Sequence, residues 1–209
     1  MGDALPRSES AANPVADFLF SPADPSALES VQFNDSSYDP AQAGIASASW
    51  DLGDGATAIG SCPSHRFAAD GEYRARLTVT TADGRSASII RVVTVRTHDV
   101  AIVELRVPRS ARPGETTAIA VAVTSLRYPE TVQVELFRDG GVEPLGRLLQ
   151  PVPPWEPTTF DFMYTFTAED AAAGTVTFRA VATLAGARDA QPADNAVVAT
   201  PVEVLPPAA

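Results

Sequence analysis

Apolar residues in this chain alternate. "YRARLTV" sets Tyr73, Ala75, Leu77 and Val79 on one face and Arg74, Arg76 and Thr78 on the other. "TAIAVAV" aligns Ile119, Val121 and Val123, and "FDFMYTF" aligns Phe160, Phe162, Tyr164 and Phe166 against Asp161, Met163 and Thr165. A period of two sends successive side chains to opposite faces of a strand. Runs of this length, parted by Gly, Pro, Asn and Asp clusters, read as strands of an antiparallel β-sandwich. The 18 prolines suit many short connections and guarded edges. The one helix candidate is "TAEDAAAG", from a capping Thr167 to Gly174, with room for little more than a turn.

The pattern runs twice. One strand set ends at "IIRVVTVR", Ile89 to Arg96, and the next begins at "DVAIVELRV", Asp99 to Val107, with Thr97 and His98 between them. Each half has the usual size of an immunoglobulin-like sandwich. The fold expected is therefore all-β: two tandem immunoglobulin-like antiparallel β-sandwiches over residues 14–96 and 97–209, after a disordered segment at 1–13.

"SWDLGDGATAIG" first raises the question of an active site, with a Trp, two Asp and the two Gly that flank the second Asp close together. As a strand, "ASWDLGDG" puts Ala48, Trp50 and Leu52 inward and Ser49 and Asp51 outward, and the "GDG" supplies a turn. In "DGEYRARL", Tyr73 stands two residues before Ala75, where an immunoglobulin-like fold places a tyrosine corner followed by a cysteine. Trp50 is thus expected to pack on small aliphatic surface. Trp50 and Tyr73 read as core and corner.

"WDLGDG" is close to the WDFGDG signature of polycystic kidney disease (PKD) type domains. The preceding "VQFNDSSYDP" and the following "CPSHRFAADGEYRARLTVTTADG" also resemble that family, in order, over residues 14–96. The resemblance implies a β-sandwich of extracellular multi-domain proteins that acts as a spacer or as a protein or carbohydrate contact module. Residues 97–209 resemble the cell-adhesion-related (CARDB) domains of bacterial surface proteins, chiefly in the spacing of Gly114, Gly174 and Asp194-Asn195, although "TSLRYPE" stands where that family has Asn-x-Gly.

Charge narrows the partners. The net charge is −11 and no lysine occurs. Nucleic-acid binding needs a basic surface, so no nucleic-acid partner is expected. No apolar run is long enough to span a bilayer, so no membrane insertion of this chain is expected. Cys62 is the only cysteine, which leaves no internal disulfide and no reading of the compartment. The opening "MGDALPRSES" lacks the basic and apolar regions of a signal peptide, and "VLPPAA" reads as a linker towards another module.

The candidate chemistry is sparse. No nucleophile elbow, zinc-protease motif or P-loop occurs. Cys62 and His65 form a conceivable thiol–imidazole pair without a third group, and too few ligands for structural zinc. Asp51 and Asp54 are read as solvated strand and turn carboxylates. Arg74 and Arg76, with Arg91 nearby, make a basic stripe whose default is a solvated face. The PKD resemblance implies calcium at Asp39 and Asp83 in some members, but Ala41 stands where a second aspartate often lies. No catalytic residue, metal or cofactor is therefore expected. Trp155, in "PVPPWEP", is the binding candidate: either a rigid platform for a sugar ring or Pro-rich peptide, or a plug at the end of its sandwich.

The function expected is a non-catalytic extracellular spacer or adhesion module of a larger bacterial surface or secreted protein. It would contact a protein or carbohydrate ligand and neighbouring domains of that protein. The alternative is an accessory substrate-binding module of a secreted polysaccharidase or protease.

Overall fold

The alternating segments form strands in the computed structural model of the chain, which describes residues 12–138 and 140–207. Residues 1–11 of the segment expected to be disordered lie outside the described residues. The chain divides into two units, Met1–Arg96 and Thr97–Ala209.

The first unit contains β1 (Phe18–Ser21), β2 (Val31–Asp35), β3 (Ile45–Asp51), β4 (Thr57–Ile59), β5 (Ser64–His65), β6 (Gly71–Thr81) and β7 (Ser86–Val95). They form two antiparallel sheets, ordered β1-β2-β5 and β4-β3-β6-β7. The inward faces meet in a core that includes Phe18, Phe33, Trp50, Leu52, Ala75 and Leu77. Trp50 packs against aromatic rings, in the core that also holds the buried Ala75. The edge of Phe18 lies 5.0 Å away between centroids and Phe33 5.6 Å away. This corrects the expectation of small aliphatic surface, and the reason is that both rings come from the facing sheet, which strand-local reasoning does not reach. The Tyr73 hydroxyl donates to the Ala69 carbonyl at 2.7 Å, which is the corner contact anticipated from "GEYRA".

The second unit contains β8 (Val100–Arg106), β9 (Ser110–Ala111), β10 (Thr116–Ser125), β11 (Glu130–Arg138), β12 (Gly146–Val152), β13 (Thr158–Thr165), α1 (Ala168–Ala173), β14 (Thr175–Val176), β15 (Phe178–Leu184), β16 (Ala196–Val198) and β17 (Val202–Val204). Sheets β13-β10-β8 and β12-β11-β15-β16 enclose a core that includes Ile119, Val121, Val134, Phe160 and Phe178. A third small sheet, β14-β17-β9, contains a parallel pair, Glu203 opposite Ser110 and Val204 opposite Ala111. The remaining pairs are antiparallel, so both units are immunoglobulin-like β-sandwiches.

The short helix α1 is fixed at both ends. The Thr167 side chain accepts from the Asp170 amide, the Asp170 side chain accepts from the Thr167 amide, and Gly174 closes in the left-handed region at φ 78°. Asp170 is fully buried, accepts from the Tyr164 hydroxyl at 2.8 Å and pairs with Arg138 at 2.8 Å. Burial and the neighbouring Asp170 push the Tyr164 hydroxyl up to about 12.

Candidate binding surface

The glycine-flanked turn after Trp50 is a structural clamp. The Asp51 carboxylate accepts from the Gly53 amide at 3.0 Å, and Asp54 accepts from the Ala56 amide at 3.0 Å. Gly53 sits at φ +86°, and a Cβ there would lie 2.7 Å from the Arg74 amide nitrogen, so only glycine fits. His65 Nε2 lies 2.6 Å from Asp54 Oδ2, which ties this turn to β5. Burial alone would raise the Asp54 pKa, but His65 and the Ala56 amide outweigh it and hold the carboxyl below its ordinary value. The His65 ring meets Phe67 edge-on at 4.7 Å, and Phe67 stacks on Tyr73 at 4.2 Å. Cys62 is exposed as a free thiol. The imidazole is thus built into the packing of β5 and β6, with a carboxylate on its Nε2.

Asp39 and Asp83 do come together, around an arginine. Arg85 Nη1 and Nη2 donate to the two Asp39 oxygens at 2.9 Å each, while its Nε donates to Asp83 at 2.9 and 3.0 Å. Arg85 Nη1 also donates to the Ala12 carbonyl. Asp39 accepts in addition from the amides of Ala41, Ala43 and Gly44. The Arg85 guanidinium, with these amides, holds Asp39 down at about 2. The Thr81 hydroxyl and Arg85 lower Asp83 as well. A calcium ion would have to displace a bidentate cation from both carboxylates, so these residues do not fit the metal that the family resemblance implies. Sequence reading reached the two aspartates but not Arg85, whose side chain supplies the positive charge.

The expected arginine stripe is shorter than anticipated. Arg74 and Arg76 face outward opposite Val92 and Ile90, but Arg91 lies opposite the buried Ala75 and therefore on the inner face. There it pairs with Asp17 at 2.5 Å and sits over the Phe18 ring, 5.6 Å from its centroid. The register, which the sequence leaves open, makes the difference.

Trp155 lies in the connection between β12 and β13. Its side chain does not plug the sandwich: the residue is 71% exposed. Its backbone is nevertheless fixed. The Trp155 amide donates to the Ser125 carbonyl at 3.0 Å, and Pro154 bridges to Ser125. Ser125 is itself buried, and its hydroxyl donates to the Tyr128 carbonyl at 2.6 Å. Trp155 is held at φ +70°, a left-handed conformation rare for a bulky residue. Pro153 and Pro154 before it, and Pro157 after it, stiffen the loop. The result is a flat apolar ring in solvent on an anchored backbone.

One further cluster escapes sequence reading. Asp99, just before β8, meets Asp189 and Asp194 from the connection between β15 and β16. Their positions in sequence are far apart, and no local motif signals the meeting. Among the described residues, no helix is long and apolar enough to cross a membrane.

Comparison with known proteins places the first unit. Residues 11–96 match the PKD domain family. A stretch of 67 residues is 33% identical to the microbial collagenase of Vibrio alginolyticus, covering 32% of this chain and 8% of that protein. The chain therefore spans only a small part of that relative's length. Among solved structures, the PKD1 domain of Vibrio anguillarum Epp is 29% identical, covering 42% of this chain and 98% of that domain with a TM-score of 0.38. The PKD1 domain of the Vibrio cholerae metalloprotease PrtV is 30% identical, covering 41% of this chain and all (100%) of that domain with a TM-score of 0.37.

Proposed function

From a chain whose residues 11–96 belong to the PKD domain family, we propose a non-catalytic contact module of a larger extracellular bacterial protein. The module contacts a protein or carbohydrate ligand through Trp155 in the second sandwich. The observation that carries this reading is the Trp155 ring itself, 71% exposed on a backbone held at φ +70°. Leaving an indole in water forgoes the burial that normally repays so large a side chain. A left-handed tryptophan adds conformational cost, and strain of this kind collects at ligand-contacting positions. An indole on a fixed backbone has only two side-chain torsions to order when a sugar ring or a Pro-rich segment stacks on it. The first sandwich, whose loop ends are closed by Arg85 and by the Asp54–His65 pair, serves as a rigid spacer.

The match to a collagenase favours one specific setting, an accessory module that holds insoluble substrate near the catalytic domain of a secreted protease. The second sandwich, with Gly114, Gly174 and Asp194-Asn195 spaced as in CARDB domains, is read as its adhesion-type partner. Co-sedimentation of the chain with fibrillar collagen and with insoluble polysaccharides tests the reading. Retention by one matrix that drops about tenfold or more in Trp155→Ala supports it. Retention by none, or equal retention of both proteins, counts against it.

A further inference from the structure

We propose that Asp99, Asp189 and Asp194 form a binding site for a hard divalent cation, calcium in preference to magnesium, within the second sandwich. Each offers one carboxylate oxygen, and these oxygens lie within 4.8 Å of one another. Calcium accepts several protein oxygens in irregular geometry, whereas magnesium keeps several waters and takes only one or two carboxylates. An all-oxygen donor set also selects these ions over zinc.

Proximity of acidic groups alone would mean little, but Asp99 adds a second observation. It is 5% exposed, and its Oδ1 is buried with no hydrogen-bond partner. Its Oδ2 accepts from Gln191 Nε2 at 3.2 Å. A buried anionic oxygen left without a partner is costly, and a cation in the cluster would supply one. Asn195 repeats the pattern beside Asp194: it is 7% exposed, and its Oδ1 is also buried without a partner. Asn195 and Asp189 line the same recess.

The scaffold holds the cluster in place without a metal. Asp189 Oδ2 accepts from the Val100 amide at 3.1 Å and its Oδ1 from the Gln191 amide at 2.8 Å. The Ala190 amide donates to the His98 carbonyl at 2.8 Å, so the two segments are joined through their backbones. Three carboxylates gathered this closely repel one another, and a divalent cation would relieve that repulsion.

The test is calorimetric titration of calcium chloride into the whole chelator-stripped chain, with scanning calorimetry alongside. The expected result is one ion per chain, with a dissociation constant of about 1 mM or tighter, as in extracellular modules. The second sandwich should melt about 5 °C higher or more at saturating calcium, and magnesium should act more weakly. Asp194→Asn, at an exposed position, should weaken binding about tenfold or more. Asp99→Asn should abolish binding and, in chelator, should leave the melting temperature equal to or above that of the unaltered chain. Asp39→Ala should leave the calcium heat unchanged. Absence of both heat and thermal shift at about 10 mM calcium would overturn the proposal. So would binding that survives both Asp99→Asn and Asp194→Asn, or that is lost in Asp39→Ala. Equal affinity for magnesium would overturn the preference. Should Asp99→Asn fail to fold, Asp194→Asn decides the matter.

Discussion

Truncating Trp50 to alanine separates a core tryptophan from a site tryptophan. The indole is 2% exposed, wedged between Phe18 and Phe33 from the facing sheet, with Leu77 opposite it on β6. Rings on both sides belong to packed strands, so the gap would collapse only in part. Loss of a large aromatic with an unfilled cavity costs about 3–5 kcal/mol. The Nε1–H bond to the Gly60 carbonyl, 2.8 Å long, is lost as well. Gly60 is exposed, so water satisfies the freed carbonyl and this adds about 1 kcal/mol at most. Trp50→Phe keeps most of the ring contact and should cost about 1–2 kcal/mol. Differential scanning calorimetry on the whole chain reads the effect. The transition of the first sandwich should fall by about 12 °C or more in Trp50→Ala, and that of the second should stay in place. An unmoved first transition would refute the core assignment. An equal drop in both transitions would refute separate cores.

The two core clusters share no residue, so fragments ending at Arg96 and beginning at Thr97 should each unfold cooperatively by circular dichroism. Tyr73→Phe removes the 2.7 Å bond to Ala69 and should cost the first sandwich about 1 kcal/mol in urea titration. Asp39 titrates at about 2 when folded against 3.8 ordinarily. Its depressed value means that it stabilises the folded state above the ordinary value, and that this contribution fades as pH falls towards about 2. Arg85→Met should therefore destabilise the first sandwich at neutral pH and flatten its acid sensitivity between those values, as followed by melting temperature against pH. Asp170→Ala uncaps α1 and strands the Tyr164 hydroxyl, at an expected cost of about 3 kcal/mol to the second transition.

The local rules of strands carried far. The alternation in "YRARLTV", "TAIAVAV" and "FDFMYTF" told inside from outside, because a strand's two faces are fixed by its period alone. The caps of α1 were legible for the same reason, since Thr167, Asp170 and Gly174 act within one turn. What stayed hidden depends on pairing between strands. The rings around Trp50 come from the opposite sheet, and Arg91 turns inward because it falls opposite Ala75. Arg85 lies close in sequence to Asp83, but its reach to Asp39 depends on how two loops meet. The Asp99, Asp189 and Asp194 cluster depends on β8 lying beside the turn before β16. Trp155 was legible as a candidate, whereas its exposure was set by the bridge from Pro154 to Ser125.

The central claim is that Trp155 touches the ligand. In Trp50→Phe, Trp155 is left as the sole tryptophan. Its emission in the free protein should be that of an indole in water, since the residue is 71% exposed. On the matrix that retains the chain, whether collagen or polysaccharide, the emission should move to shorter wavelength and iodide should quench it less. Unchanged emission and quenching on a matrix that holds the chain would contradict the claim.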